Sequence, residues 1–188
     1  MVKRIDVMVD IETLGTDSSA PIFQIAAIAF DIETGEHYDK FNKIADIEKE
    51  EYMPIDGSTL KWWLNTNKEL LTDLLNKGKG SLDDLLDDFQ KWLEYLSDDA
   101  KNIYLWGNGI LFDNKMLQYQ LREYPIYYKN DRDVRTIVDL AGKKLGVTEQ
   151  ELKDSYNNDS LVAHDAFDDV KYQINLVVGC YKELIKNN

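Results

Sequence analysis

The sequence predicts an α/β fold, a mixed β-sheet flanked by α-helices, in one domain spanning residues 1–188. Three observations lead there. Strand-like apolar patterns cluster before residue 45. Helical periodicity dominates afterwards, broken by short strand-like runs, which is the signature of a sheet with helices on its faces. A chain of 188 residues that is 44% hydrophobic and 30% charged also suits one full-sized core.

The elements follow in order. Val7, Val9 and Ile11 alternate from Ile5 to Glu12, and Phe23 to Phe30 is nearly continuous in apolar residues. Glu33-Thr34-Gly35 then marks a turn, and Tyr38 to Ile44 returns as a third strand, so the chain opens as an antiparallel meander. Glu48 to Asp56 reads as loop. Ser58 or Thr59 is placed to cap a short helix through Trp62, Trp63 and Leu64, with a second helix through Leu70, Leu71, Leu74 and Leu75 ending at Gly78 and Gly80. Ser81, with Asp84 three residues on, forms an Asp variant of the capping box. The stripe Leu82, Leu85, Leu86, Phe89, Trp92, Leu93 and Leu96 follows at helical spacing. Asn102 to Trp106 is a short strand that stops at Gly107-Asn108-Gly109. Phe112 to Tyr124 reads as helix, Pro125 breaks it, and Ile126 to Tyr128 reads as a further strand. Val134 to Leu145 ends at Gly146, Val147 to Tyr156 is a shorter helical piece, and Ala166, Val170, Ile174, Val177, Tyr181 and Leu184 mark a long last helix.

Charge and composition exclude several classes. With 22 Lys and Arg against 35 Asp and Glu, the formal charge is −13, which argues against a protein that holds nucleic acid by bulk attraction. Cys180 is the only cysteine, so there is no internal disulfide or Cys-rich metal cluster. No apolar run approaches the ~20 residues of a membrane span, and no secretory-signal pattern follows Met1. A cytoplasmic protein is expected.

The placement of particular acids is more informative. Asp-Ile-Glu-Thr occurs twice. In Asp10-Ile11-Glu12-Thr13 the carboxylates follow a buried strand, and period-two alternation puts both on one side, about 6.5–7 Å apart. Hard oxygen ligands on a rigid strand end are a start for a Mg²⁺ site. In Asp31-Ile32-Glu33-Thr34 the same letters run into a hairpin turn and read as ordinary turn residues. Asp113 opens a helix after the Gly107-Asn108-Gly109 turn, where an Asp also complements a helix dipole. Only two histidines exist; His37 falls in the hairpin, while His164 lies in His164-Asp165-Ala166-Phe167-Asp168-Asp169. At about 100° per residue, Asp168 falls opposite the apolar side and is expected in solvent. Asp165 is also well away from that side, and Asp169 lies nearest its edge.

Asp10-x-Glu12, then Asp113, then His164 with Asp169 five residues later, resemble the DEDDh 3′–5′ exonucleases, which share a ribonuclease H-like fold. Asp10-Ile-Glu-Thr-Leu-Gly15 resembles their first motif and His164-x-Ala166-x-x-Asp169 their third. Where proofreading subunits carry Asn four residues before the middle Asp, this chain has Gly109. Trp106-x-x-Gly109-x-x-Phe112-Asp113, Ser58-Thr59-Leu60-Lys61-Trp62-Trp63, Arg132-Asp133-Val134-Arg135-Thr136 and Val162-Ala163-His164-Asp165 are similar to the phage exonuclease A group.

The resemblance implies a metal-dependent 3′–5′ exonuclease that converts single-stranded DNA or RNA 3′ ends to nucleoside 5′-monophosphates. Two Mg²⁺ ions, about 3.5–4 Å apart and replaceable by Mn²⁺, would be held by Asp10, Glu12, Asp113 and Asp169, with His164 as general base. Thr13, Leu14 and Gly15 would contact the terminal sugar and base, with Leu14 as an apolar wedge. Phe112 and Trp63 join this set, Trp62 and Phe167 are further stacking candidates, and Arg132 belongs to a basic stretch from Lys115 to Lys144 that could meet phosphates. A stand-alone enzyme in the cytoplasm of a bacterium or phage-infected host is expected, as a monomer or homodimer. Two rivals remain open: a nucleic-acid-binding or scaffold domain with a vestigial site, and an acidic DNA mimic.

Overall fold

The computed structural model describes residues 4–158 and 160–186. Five strands, β1 (Ile5–Thr13), β2 (Ile22–Phe30), β3 (His37–Ile44), β4 (Ile103–Gly107) and β5 (Asp131–Asp133), lie side by side in the order β3-β2-β1-β4-β5. The first three form the expected antiparallel meander. β4 and β5 extend the sheet beyond β1 in parallel. A parallel neighbour needs a long crossover, which three helices supply: α1 (Gly57–Thr66), α2 (Lys68–Lys77) and α3 (Leu82–Leu96). α4 (Asp113–Gln120), α5 (Val134–Leu145), α6 (Glu149–Ser155) and α7 (Ala166–Ile185) complete the described elements.

Strand alternation divides the core. Val7, Val9 and Ile11 pack with Phe89 and Leu93 of α3 and with Met116 and Leu117 of α4. Met8, on the other face, packs with Val138 of α5 and Val170 and Ile174 of α7. β2 is buried along its whole length, which explains its nearly continuous apolar run. A satellite cluster of Leu14, Phe23, Trp63, Leu71 and Leu74 holds α1 and α2 against the end of β1.

Caps behave largely as the sequence implies. The Ser81–Asp84 capping box is present, and Gly146 ends α5 in the left-handed conformation at φ 73°. At α1, however, Asp56 rather than Ser58 or Thr59 is the cap: its carboxylate accepts from the Thr59 amide at 2.7 Å, which charge assists. Ile126 to Tyr128 is not a strand. Ile126 is buried as a loop anchor, and the fifth strand is Asp131–Asp133, paired with β4. Asn130 fixes that pairing by donating its side-chain amide to the Lys101 and Ile103 carbonyls, each at 2.9 Å. Helix α4 is shorter than the 112–124 pattern predicts and closes at Leu121, whose amide reaches the Leu117 carbonyl.

Phe89 is completely buried between Phe41 and Trp92. Phe89→Ala should lower unfolding free energy by about 3–5 kcal/mol. In urea titrations this should appear as a lower midpoint with an unchanged m-value.

Candidate metal centre

β1 carries its alternation to its end, so Asp10 and Glu12 continue the face that meets α7. From α7, the Gln173 amide nitrogen donates to Asp10 Oδ1 at 2.9 Å. Asp10, Glu12 and Asp169 each offer a carboxylate oxygen, and these oxygens lie within 4.8 Å of one another. Asp113 enters from α4 beside them. Its charge is felt at Asp10, and the Ile11 amide of β1 favours its ionised form.

The third motif folds back on itself. The His164 amide donates to Asp169 Oδ2 at 3.1 Å, and His164 takes a left-handed backbone at φ 69°. That conformation is uncommon outside glycine, although histidine is among the residues that adopt it more readily. The imidazole then stands edge-on to Trp62, with ring centroids 5.0 Å apart. Asp165 caps α7, accepting from the Phe167 and Asp168 amides. Asp168 does not stand free in solvent as helix angle alone predicts. It is pulled back to accept from the Val162 amide and pairs with Lys171 at 2.7 Å, closing the loop.

Electrostatics follows from crowding like charges in a part-buried place. Burial, then the Asp113 and Asp169 charges, push the Asp10 carboxyl well above its ordinary range. Glu12 is likewise raised by burial and then by Asp10. Burial raises Asp169, and burial pushes Asp113 up to about 7. Among the described residues, no Lys or Arg forms an ion pair with any of the four. The buried Gln173 Oε1 finds no partner either. An all-oxygen, rigidly mounted donor set that no cation pairs directly fits a hard divalent cation.

Beside the carboxylates opens a cleft of about 520 Å³, lined by Glu12, Thr13, Ser58, Thr59, Trp62 and Phe112 among others. The remaining expected substrate residues separate into two groups. Thr13 and Phe112 reach this cleft, and Trp63 forms part of its wall. Leu14 is no wedge: only 2% exposed, its side chain fills the satellite core. Trp63 is 1% exposed and donates its indole N–H to the Thr13 carbonyl at 3.1 Å, so it supports the strand end rather than offering a free ring face. The exposed indole is Trp62, at 44%. Gly15 serves packing, since a Cβ there would lie 2.8 Å from Ala20 Cβ. Phe167 carries the Lys171 ammonium 4.2 Å from its ring and faces a groove along β3. Arg132 is not brought to the carboxylates. Its guanidinium bonds the Lys129 and Asp131 carbonyls and lies over Tyr104, which pairs with Asp6, four residues before Asp10.

Sequence reasoning missed Gln173. A signal existed: it lies four residues after Asp169, and such pairs share a helix face. Spacing alone does not separate Arg132 from Arg135 in the same basic stretch, because side-chain direction is not encoded in it.

Comparison with known proteins places the chain. The model of the Rv2179c-like 3′–5′ exoribonuclease domain family matches residues 5–181, and the chain belongs to that family. No curated protein sequence matches it. Among solved structures it is similar to cell-death related nuclease 4 (CRN-4) at 15% identity and TM-score 0.67, covering 96% of this chain and 64% of that one. It is similar to the nuclease domain of 3′hExo, a DEDDh family member bound to rAMP, at 15% identity and TM-score 0.61, covering 96% and 92%. The E. coli exonuclease I–ssDNA complex gives 18% identity and TM-score 0.61, covering 92% of this chain and 39% of that one. The chain thus spans under two thirds of CRN-4 and well under half of exonuclease I. At these identities the likeness establishes the ribonuclease H-like fold, and the family match carries the 3′–5′ exonuclease assignment. The level reached is the family, not the phage exonuclease A group. Among the described residues, no helix is long and apolar enough to cross a membrane.

The crowded acids give two tests. Asp113 titrates near 7 when folded and near 3.8 when unfolded. The folded chain therefore keeps a proton that the unfolded chain releases, and metal-free stability falls as pH rises through that window. Asp113→Asn should stabilise the metal-free protein at pH 8, on the order of a few kcal/mol, and give no such gain at pH 3. Denaturant titration in EDTA at both values reads this. Gln173→Leu should weaken divalent-metal affinity roughly 10–100-fold by calorimetry, because Asp10 loses the donor that orients it.

Proposed function

We propose that this protein removes nucleotides one at a time from the 3′ end of single-stranded nucleic acid, releasing nucleoside 5′-monophosphates. RNA is the first substrate to test, given the exoribonuclease description of the family. The observation that carries the reading is the convergence of Asp10, Glu12 and Asp169 within 4.8 Å, with His164 tied to Asp169 and facing Trp62.

Asp10, Glu12, Asp169 and Asp113 would hold two divalent ions, Mg²⁺ first and Mn²⁺ in its place. When bound, such ions stabilise charge on phosphodiester oxygens and favour ionisation of an attacking water. The protein's own part can be assigned residue by residue. Gln173 orients Asp10 through its amide N–H. His164, held by the loop that Asp165 and Asp168 close, accepts the attacking water's proton at an imidazole nitrogen. Glu12 and Phe112 flank the cleft, whose volume suits a single nucleotide. The exposed Trp62 offers a face on which a terminal base stacks without regard to sequence. Cleavage leaves the phosphate on the departing nucleotide as its 5′-monophosphate. All five DEDDh side chains are retained, which weighs against the vestigial-domain reading. An acidic mimic of DNA would need neither His164 nor an ordered carboxylate set.

The test uses 5′-labelled single-stranded RNA and DNA with Mg²⁺, Mn²⁺ or EDTA. A ladder shortening from the 3′ end should appear with either metal, vanish in EDTA and vanish in Asp10→Ala. His164→Ala should retain folding and metal binding while turnover falls about 10²–10⁴-fold. No shortening of any oligonucleotide by the wild-type protein with either metal sinks the proposal.

A further inference from the structure

Arg135 is the second residue of α5, two positions past the Asp133 cap. Asp133 staples the helix start to the β4–α4 loop: one carboxylate oxygen accepts from the Thr136 amide at 3.1 Å, the other from the Ile110 amide at 3.2 Å. With both oxygens engaged, the nearest acid in sequence is occupied. The Arg135 guanidinium instead rests on Gly109. A Cβ built there would lie 3.2 Å from both Cζ and Nη2 and 3.5 Å from Nη1, so any side chain at position 109 would occupy the guanidinium's seat. Gly109 also sits at φ 120°, which a side chain would strain. The loop then runs straight into the site, with the Phe112 amide bonded to the Gly109 carbonyl and Asp113 next.

The other three arginines of the chain are engaged: Arg4 with Asp6, Arg122 with Asp87, and Arg132 with two carbonyls. Among the described residues, Arg135 makes no ion pair or side-chain hydrogen bond, and it is exposed. A guanidinium with no ion-pair partner, whose charge is felt at Asp113, has a clear use in a chain carrying −13. Long-range attraction for a polyanion is absent, so phosphate must be held locally, and a planar guanidinium does this through paired N–H donors.

We propose that the Arg135 guanidinium, seated on Gly109, is the phosphate-binding group for nucleic-acid backbone entering the carboxylate site. The inference rests on the exonuclease reading above and adds to it a cation from outside the carboxylate–histidine set. Gly109 and Arg135 form one unit, in which the missing side chain makes the platform and the guanidinium fills it.

The test compares wild type, Arg135→Ala, Arg135→Lys and the remote control Arg122→Ala. KM and kcat are measured across salt concentrations on single-stranded RNA and on a p-nitrophenyl ester of a nucleoside 5′-monophosphate, which carries a single phosphodiester. Fluorescence anisotropy with a short labelled RNA in EDTA reads the contact without turnover. Arg135→Ala should weaken RNA binding and raise KM roughly tenfold, and should flatten the slope against log salt by about 0.7, the share of one single-strand phosphate contact. Arg135→Lys should recover part of this, and Arg122→Ala should match wild type. A defect on RNA alone assigns Arg135 to a flanking phosphate, and one on both substrates to the phosphate being hydrolysed; either supports the proposal. An active wild type whose KM, anisotropy and salt slope are unchanged in Arg135→Ala overturns it and leaves the exonuclease reading standing. Arg135-dependent binding by a wild type that cleaves nothing fails that reading instead.

Discussion

Like charges brought to one spot are the constraint around which this protein is arranged. Asp10 and Glu12 project from a strand whose neighbours on both sides hold it rigid, and Asp169 is delivered by a helix packed across that strand. Nothing in the carboxylates themselves favours the meeting. Burial and mutual repulsion both oppose ionisation there. The apolar faces of β1, β2, α5 and α7 must supply the opposing free energy, which is why the strand carrying the acids sits in the middle of the sheet rather than at an edge. Sites of this kind exchange stability for chemistry.

The short third motif shows how tightly the residues around such a centre divide their work. Asp165 caps the helix and Asp168 ties the preceding loop to Lys171 and the Val162 amide. Asp169 faces the cluster and receives the His164 amide. Three aspartates with nearly the same sequence surroundings thus have three different partners. The five-residue interval between His164 and Asp169 is the length this fold-back needs.

The sheet's centre and the longest helices were readable because their hydrophobic periods are strong. Asp10, Glu12 and Asp169 followed from strand parity and helix angle. β5 was invisible because Asp131, Arg132 and Asp133 carry no apolar alternation; the strand exists through Asn130 and its pairing to β4. Motif position alone makes Leu14 and Trp63 substrate contacts, yet which of two adjacent tryptophans turns inward depends on the satellite cluster beneath them. Arg132 and Arg135 posed the same difficulty. Their spacing fits either as the phosphate contact, and only the bare Gly109 backbone distinguishes them.

The Gln173–Asp10 hydrogen bond spans 163 positions of sequence. Its partners belong to β1 and α7, so the carboxylate cluster is a late event in the chain's assembly. The β1–β3 meander can pair as soon as it emerges, but β1 gains its parallel neighbour and its third carboxylate only after most of the polypeptide has been made. A chain that ends before α4 carries two of the four acids, and one that ends before α7 carries three. Topology therefore leaves the carboxylate cluster without Asp169 and Gln173 until α7 has been made.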